Sequence, residues 1–283
     1  MWLFFALLSA LFAGITAILA KVGVRQMDSD VATALRTVVV ALFSWIMVGV
    51  AGSGGQLLAI YPRSLFFLIL SGLATGASWL CYFKALQLGN VNKVVPVDKC
   101  STILSVLFAM LFLGETDRWP LKLLALALMA AGTWLMLEHR SATEEKSRSW
   151  LLFAVLSAVF AALTSILGKI GIAHVESNLG TAVRTLVVLA MAWLIVLIRK
   201  KPVRGISGRE AAATALSGVA TGISWLCYYR ALQLGEVGPV LSVDKMSILV
   251  TMAFSALILK ERFSGKSWLG LGILTGGTIL MVL

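Results

Sequence analysis

The sequence predicts an all-α integral membrane protein in which ten transmembrane helices form two inverted five-helix repeats. Three observations carry this prediction. Hydrophobic residues make up 59% of the 283 residues and charged residues only 13%, whereas a soluble domain carries about a quarter charged residues. Apolar segments recur along the whole chain, and its two halves resemble each other. The composition therefore excludes a soluble enzyme, a disordered chain and a secreted disulfide scaffold.

The ten apolar segments are each long enough to cross about 30 Å of hydrocarbon as a helix. Helices are expected because backbone polar groups in lipid must be satisfied within the segment. The most polar separator, 138–149, is expected to be a surface linker between a first repeat at 1–137 and a second at 150–283. The segments are 2–22, 31–50, 64–86, 93–113, 119–137, 150–170, 179–198, 211–232, 238–259 and 267–283.

The two halves of the chain are copies of one another. Early in each half the copies align at an offset of 148 residues, which later becomes 146. Residues 72–99 and 218–245 then match at 19 of 28 positions. Five spans per copy is an odd number, so the second copy must be inverted across the membrane relative to the first. Inverted repeats are typical of secondary transporters, whose substrate site lies near the membrane midplane between the repeats.

The net charge of +11 is explained by membrane topology rather than by binding to nucleic acid. The basic residues lie in short loops and form no basic domain that would bind phosphates. Eight of the 24 Lys and Arg residues occupy repeat-matched positions in or beside spans, and the other 16 divide 13 to 3 between the two sides of the membrane. Since the richer side is expected to be cytoplasmic, both termini are predicted to be extracytoplasmic, in the plasma (cell) membrane.

Two acidic residues lie well inside predicted spans, Asp98 and its repeat counterpart Asp244. A carboxylate in lipid is costly and needs a partner, a water-filled cavity or a proton. Each carboxylate begins a polar stripe at helical spacing that continues with Ser101 or Ser247. Two interpretations stay open: a cavity role in binding substrate or protons, or a purely structural contact between helices.

Lysines follow both carboxylates in the sequence, at Lys99 and Lys245. Neighbours along a helix project about 100° apart and do not face one another, so each lysine is expected to pair elsewhere. The duplication suggests that Lys99 pairs with Asp244 and Lys245 with Asp98. Such pairs would break and form again as the two halves move, which would link binding to the conformational change.

A second repeat-matched cation, Arg36 and Arg184, lies about five residues inside its span. Each arginine either extends to the membrane interface or faces a cavity and binds an anionic group. The eight repeat-matched cations outnumber the two acids inside spans, which favours substrates with a carboxylate or phosphate. Extension to the interface is expected for the four cations close to span ends, Lys21, Lys169, Lys84 and Arg230.

Aromatic residues share one face of the third helix of each repeat. Trp79 lies three residues before Tyr82, and Trp225 three residues before Tyr228, a spacing that places each pair on one side of a helix. Both core packing and lining of a substrate cavity remain open for these pairs.

Proline and glycine predict two further features. Pro96 is expected to break the fourth helix of the first repeat only, because Ser242 takes its place in the second. Glycine pairs four residues apart predict close packing between helices. The pairs are Gly72 and Gly76, Gly218 and Gly222, and Gly272 and Gly276.

The repeated motifs resemble those of a known family. The first half contains Gly-Leu-Ala-Thr-Gly-Ala-Ser-Trp-Leu-Cys-Tyr from residue 72, Val-Asp-Lys at 97–99 and Leu-Gly-Glu ending at Glu115. The first run recurs with two substitutions in the second half, Val-Asp-Lys recurs unchanged, and the copy ends at Glu261. Together they resemble the EamA-like transporters of the drug/metabolite transporter superfamily. The resemblance implies ten helices, of which the first four of each half line a central cavity and the fifth packs at the periphery. It also implies movement, often outward, of small molecules such as amino acids, drugs or sugar phosphates. Many members have cytoplasmic termini, from which the orientation expected here departs.

The leading functional prediction is a secondary active transporter, in the direction of export, of small polar metabolites. The alternatives are an exporter of lipophilic cations and other drugs, and a lipid-carrier flippase. An intramembrane enzyme is disfavoured because the sequence has no nucleophile, metal, haem or nucleotide motif, so no cofactor is expected. The expected partners are the small-molecule substrate and membrane lipid, for a monomer or homodimer whose energy comes from protons or exchange.

Overall fold

The computed structural model describes residues 1–23, 27–88, 94, 97–98, 100–136, 149–203, 206–258 and 264–283. All regular structure in these ranges is helical. They contain eleven α-helices and one short 3-10 helix at Ser53–Ala59. The α-helices are α1 (Trp2–Gly23), α2 (Ser29–Val50), α3 (Pro62–Leu88), α4 (Ser101–Phe112), α5 (Trp119–Met136), α6 (Trp150–Ile172), α7 (Ser177–Ile198), α8 (Gly208–Leu234), α9 (Val237–Asp244), α10 (Ser247–Ile258) and α11 (Gly265–Val282).

Eight segments of the described chain are long and apolar enough to cross a membrane, judged by length and composition. They are Trp2–Ala20, Ser29–Val50, Pro62–Leu86, Trp119–Met136, Trp150–Ile172, Ser177–Ile198, Gly208–Leu234 and Val237–Leu257. The predicted segment 93–113 lies partly outside the described residues. Its described part contains α4, an apolar helix that is shorter than the eight segments. The last predicted segment forms α11, which is not among the eight. The protein is a multi-pass helical membrane protein.

Polar caps set the start of several spans. The Asp28 carboxylate accepts a hydrogen bond from the Asp30 backbone N–H at the start of α2. Before α8, Ser207 and Glu210 form a capping box in which each side chain bonds the backbone of the other. These bonds satisfy N–H groups that the first turn of a helix leaves without partners. The apolar helices therefore begin at defined polar residues.

The contacts group into two compact units. The larger unit comprises Met1–Leu73, Leu167–Gly235 and Val243–Lys260, and the smaller unit comprises Ala74–Ile166, Glu236–Ser242 and Glu261–Leu283. Each unit takes segments from both repeats. In the larger unit, α1 packs on α8 and α10, and α2 packs on α7 and α8. A helix of one repeat therefore has its neighbours in the other.

Glycine permits close helix contacts in the larger unit. A Cβ added to Gly218 would lie 2.6 Å from Val39 Cβ, and one added to Gly72 would lie 2.7 Å from Val187 Cβ. Packing at these two glycines is therefore confirmed. For the last helix, packing within the fold is not found, because no other described atom lies within 4 Å of the Cβ positions at Gly272 and Gly276. Packing between protomers at these glycines stays a prediction.

The last helix uses a different pair of glycines. In the smaller unit, α11 packs on α5 through Gly270 and Gly277. These two residues are seven apart and lie on one face of the helix, since seven residues make about two turns. A Cβ at Gly270 would lie 2.6 Å from the backbone oxygen of Gly132, and one at Gly277 would lie 2.9 Å from that of Ala125. The face that carries Gly272 and Gly276 points away from this contact.

The fourth helix of the second repeat is interrupted, and the described residues of the first repeat include the matching turn at Cys100. In the second repeat α9 ends at Asp244 and α10 begins at Ser247, and the Met246 N–H donates to the Val243 carbonyl at 2.9 Å. In the first repeat the Cys100 N–H makes the equivalent bond to the Val97 carbonyl at 3.1 Å.

The expectation that the second repeat has no break is therefore wrong, whereas the break predicted at Pro96 lies outside the described residues. In the second repeat the interruption begins within the Val-Asp-Lys sequence that the repeats share, because Lys245 lies in the turn. Proline is not required for it, because the second repeat has Ser242, whose hydroxyl donates to the Gly238 carbonyl at 2.9 Å within α9. Pro96 itself lies outside the described residues.

Candidate functional site

Asp244 is held by a serine from the first helix of the chain. In the larger unit, Ser9 Oγ on α1 donates to Asp244 Oδ1 at 2.8 Å. Ser9 Oγ also lies 3.3 Å from Ser224 Oγ on α8, whose hydroxyl donates to the Ser9 carbonyl at 3.1 Å. Ser9 is completely buried. The first repeat therefore supplies the hydroxyl that fixes the carboxylate of the second.

The smaller unit contains the matching arrangement around Asp98. Ser157 Oγ on α6 donates to Asp98 Oδ1 at 2.8 Å. Ser78 Oγ on α3 lies 3.3 Å from Ser157 Oγ and donates to the Ser157 carbonyl at 3.0 Å. Ser157 and Ser78 are the repeat counterparts of Ser9 and Ser224. The contact between repeats is thus made twice, once in each unit.

The two Asp–Ser contacts stabilise the carboxylates electrostatically. Each carboxylate is half-buried, and a hydroxyl that donates to it compensates part of the cost of removing it from water. Ser9 and Ser157 each bond to Oδ1. Both aspartates therefore take part in contacts between helices, while their partial exposure keeps a binding role open.

A threonine pair lies beside each of these contacts. Thr16 Oγ1 on α1 lies 3.3 Å from Thr221 Oγ1 on α8, and Thr75 Oγ1 on α3 lies 3.3 Å from Thr164 Oγ1 on α6. Polar side chains that bond across helices stabilise packing in a membrane.

The sequence predictions missed the partners on the first helix of each repeat. The signal was available, since Ser9 matches Ser157 and Thr16 matches Thr164. Their roles were not visible because serine and threonine are common in spans, and sequence does not show which helix faces which.

Arg184 lies inside the larger unit rather than at the interface. Its Nε donates to Ser71 Oγ at 3.0 Å. The guanidinium carbon lies 5.1 Å from the ring centroid of Trp225 and 4.8 Å from that of Tyr229. Both distances are typical of cation–π contacts, and the residue is only 2% exposed. Of the two interpretations from sequence, extension to the interface is wrong for Arg184.

Arg36 lines an open pocket in the same unit. The pocket has a volume of about 160 Å³ and is lined by Ala20, Ser29, Ala32, Thr33, Arg36, Thr214 and Ser217. In the described part of the chain, no hydrogen bond or ion pair of the Arg36 side chain is found. The same arginine therefore has different surroundings in the two repeats.

The predicted aromatic residues divide between the units. Tyr82 packs on a core of Ala85, Val94 and Ala154 in the smaller unit, which agrees with the packing interpretation, and Trp79 is half-buried there. In the larger unit Trp225 contacts Arg184. Tyr228 is half-buried beside Tyr229, with ring centroids 5.3 Å apart. The buried Tyr229 was not among the predicted site residues.

The remaining predicted site residues lie at the helix interruptions. Ser101 and Ser247 are the first residues of α4 and α10, and Lys245 lies in the turn between α9 and α10. Lys99 lies outside the described residues. The pairing of each lysine with the opposite aspartate stays a prediction.

The cations near span ends behave differently from one another. Lys169 Nζ donates to the Gly235 carbonyl at 2.7 Å and so caps the end of α8. Lys84 and Arg230 are exposed, as expected for side chains that reach the interface, and Arg230 donates to Gln233 Oε1 at 2.6 Å. The Lys21 side chain is outside the described part.

Two ion pairs join the start of α2 to the end of α7. Arg199 Nη1 lies 2.9 Å from Asp30 Oδ2, and Lys201 Nζ lies 2.6 Å from Asp28 Oδ2. Burial raises the pKa of Asp28, but hydrogen bonds from Lys201 and the Asp30 N–H outweigh it and hold the pKa below its usual value. Since the start of one helix meets the end of the other, α2 and α7 are antiparallel.

Comparison with known proteins places these features in a family. The sequence model of the EamA-like transporter family matches residues 1–138 and 148–283. A protein of Sinorhizobium sp., described as an uncharacterized transporter in the cobO 3' region, is 48% identical over 135 residues, which are 48% of this chain and 95% of that protein. A protein of known crystal structure has a similar fold, with a TM-score of 0.82, 21% identity and coverage of 99% of this chain and 95% of that one.

Proposed function

The chain belongs to the EamA-like transporter family and is a membrane transporter, and on this premise we propose that it is a secondary active exporter of small polar metabolites. The proposed architecture has ten spans in two inverted repeats that alternate access to a central cavity. The antiparallel packing of α2 on α7 supports the inversion. The proposed location is the plasma membrane, with both termini extracytoplasmic.

The observation that carries the proposed mechanism is the pair of Asp–Ser contacts. Ser9 of the first repeat bonds to Asp244 of the second, and Ser157 of the second bonds to Asp98 of the first. A movement of one repeat against the other would change both bonds together. Each carboxylate would then lose the hydrogen bond that compensates part of the cost of removing it from water. The two aspartates are therefore the proposed groups that couple protons to transport.

The proposed substrate-binding residues are those that flank these carboxylates. In the first repeat they are Trp79, Tyr82, Asp98, Lys99 and Ser101, and in the second Trp225, Tyr228, Asp244, Lys245 and Ser247. The fourth-helix interruptions support this assignment, because transporters commonly place discontinuous helices at their binding sites. A site for lipophilic cations would be expected to have carboxylates without other partners among aromatic residues. Asp244 and Asp98 instead each accept a hydrogen bond from a serine.

The test begins with the substrate. Thermal unfolding of the purified protein with amino acids, sugar and nucleotide phosphates, quaternary amines and hydrophobic cations, at two pH values, should give a selective shift with a carboxylate or phosphate. Shifts spread over lipophilic cations would instead support a multidrug exporter, and shifts with lipid carriers alone a flippase.

The proton-coupling prediction uses the selected substrate in liposomes. Asp98→Asn and Asp244→Asn should each abolish transport driven by a pH gradient, because an amide cannot take up the proton. Asp117→Asn is the matched control, since Asp117 is an exposed loop residue that receives the same chemical change. If the double variant keeps the pH dependence of the unmodified protein, the two aspartates do not couple protons.

A further inference from the structure

The pocket beside Arg36 has the features of a small binding site. Four of its lining residues, Ser29, Ala32, Thr33 and Arg36, lie on one face of α2, as their spacing of three, four and seven residues requires. Its volume of about 160 Å³ is well above the ~10–15 Å³ that a single water molecule requires on the same measure. A group of a few heavy atoms would fit in it.

Two polar side chains of the pocket, Arg36 and Thr214, make no hydrogen bond within the described chain, whereas the Thr33 and Ser217 hydroxyls donate to backbone carbonyls. The Arg36 guanidinium presents up to five N–H donors in a planar fork. Opposite it, Thr214 on α8 is only 5% exposed, and its buried hydroxyl has no hydrogen-bond partner. Buried polar groups normally have partners, so an orphaned hydroxyl in a pocket wall needs an explanation.

The acidic residues near the pocket are already bonded to other groups. At the start of α2, Asp28 and Asp30 are paired with Lys201 and Arg199. On α8, Glu210 lies one turn before Thr214, and its carboxylate accepts hydrogen bonds from Ser207. Asp30 is six residues before Arg36 and projects from a different side of the helix. The arginine charge is therefore not neutralised by its own helix.

We propose that the Arg36 pocket is a binding subsite for an oxyanion group, either a carboxylate or a phosphate. The guanidinium binds two oxygens of the anion in its planar fork, and the Thr214 hydroxyl donates to the same group. As a subsite for the transported substrate, this rests on the proposed transport function. Binding itself does not depend on transport.

The matching position in the second repeat supports this assignment because it is lined differently. Leu68 takes the place of Thr214 and is fully buried, and Arg184 is engaged by Ser71 and two aromatic rings. The second repeat thus shows an apolar side chain accommodated where the first repeat has Thr214. Thr214→Leu copies that example into the first repeat.

The experiment measures binding of inorganic phosphate and of acetate to the full-length protein in detergent, by calorimetry. Arg36→Gln and Thr214→Leu should weaken binding by about 10- to 100-fold, as expected for loss of a charge-assisted contact or of the space. Arg63→Gln is the control, because Arg63 is exposed and contacts the Phe67 ring. Thr214→Leu should also raise the melting temperature, which separates loss of the site from loss of the fold.

A second arm identifies the source of the anion. Nanodiscs of phosphatidylglycerol should compete with phosphate, and those of phosphatidylcholine should not, if a lipid headgroup occupies the pocket. Equal phosphate binding in both indicates a soluble ligand. Unchanged phosphate and acetate binding in Arg36→Gln would overturn the proposal, as would the absence of any binding in the unmodified protein. If the Asp98→Asn variant has lost pH-driven transport but still binds phosphate, the subsite is independent of the transport mechanism.

Discussion

Arg36 and Arg184 occupy the same position in the two repeats, yet one lines a pocket and the other is buried among side chains. Arg184 donates to Ser71 and lies over Trp225 and Tyr229, whereas Arg36 faces a space of about 160 Å³. The difference shows that a duplicated residue does not keep a duplicated role. The neighbours decide whether the arginine stabilises the fold or remains available to a ligand.

Small differences between the repeats account for the two outcomes. Around Arg184, Leu68 takes the place of the pocket residue Thr214, and Gly168 takes the place of the pocket residue Ala20. The glycine leaves room for an aromatic ring, since a Cβ at Gly168 would lie 2.6 Å from a carbon of the Tyr229 ring. The leucine is fully buried and packs on Gly171. The enclosed surroundings of Arg184 are formed by Ser71, Trp225 and Tyr229.

The largest expected effect concerns the buried arginine. Arg184→Ala should lower the free energy of unfolding by about 3 kcal/mol, because a charge-assisted hydrogen bond and two ring contacts are lost and a cavity remains. Arg36→Ala should lower it by less than about 1 kcal/mol, since it removes no described contact of this kind. Unfolding in detergent, followed by circular dichroism, measures both. Equal losses would contradict the structural difference between the two arginines.

A smaller effect is expected at the glycine that admits Tyr229. Gly168→Ala should lower the free energy of unfolding by about 1–3 kcal/mol, because the added methyl group overlaps the ring and forces it to shift. Gly272→Ala provides the comparison on an open helix face, where the better helix propensity of alanine should stabilise by up to about 1 kcal/mol. A neutral Gly168→Ala, measured by the same unfolding assay, would show that Tyr229 has room to move.

The smallest effect concerns the polar start of α2. Because folding lowers the Asp28 pKa, its contribution to stability is complete above the unfolded value near 3.8 and is lost as the pH falls through the lower folded value. Both partners of the Asp28–Lys201 pair are about one-third exposed, so Lys201→Met should cost less than about 1 kcal/mol at neutral pH.

A pH series of unfolding curves tests this last prediction. The difference between Lys201→Met and the unmodified protein should shrink toward the acid end, where Asp28 is protonated in both. In the second repeat Glu176 takes the place of Asp28 and caps its own helix at Leu179. The effect of Glu176→Gln on the free energy of unfolding should therefore not depend on Lys201. A Lys201→Met difference that stays constant down to pH 2 would contradict the Asp28–Lys201 ion pair.

The sequence located the two carboxylates but not the residues that hold them. Asp98 and Asp244 stand out because a charge inside an apolar segment is costly. Ser9 and Ser157 do not stand out, since a hydroxyl is inexpensive in a helix and its partner lies more than 50 residues away. The helix interruption of the second repeat was missed for a similar reason: a proline is visible in the sequence, whereas the turn at Lys245 and Met246 forms without one.

The sequence by itself determined that the protein is helical, crosses the membrane several times, is internally duplicated and belongs among transporters. Composition, segment length and repeated motifs suffice for these conclusions because they depend on transfer of side chains into lipid and on chain periodicity. Only the tertiary structure decided that each serine bonds the aspartate of the other repeat, and that Arg184 is enclosed while Arg36 is open. Those outcomes depend on which helices meet and on differences of single side chains at their contacts, where close packing leaves either a filled corner or a pocket.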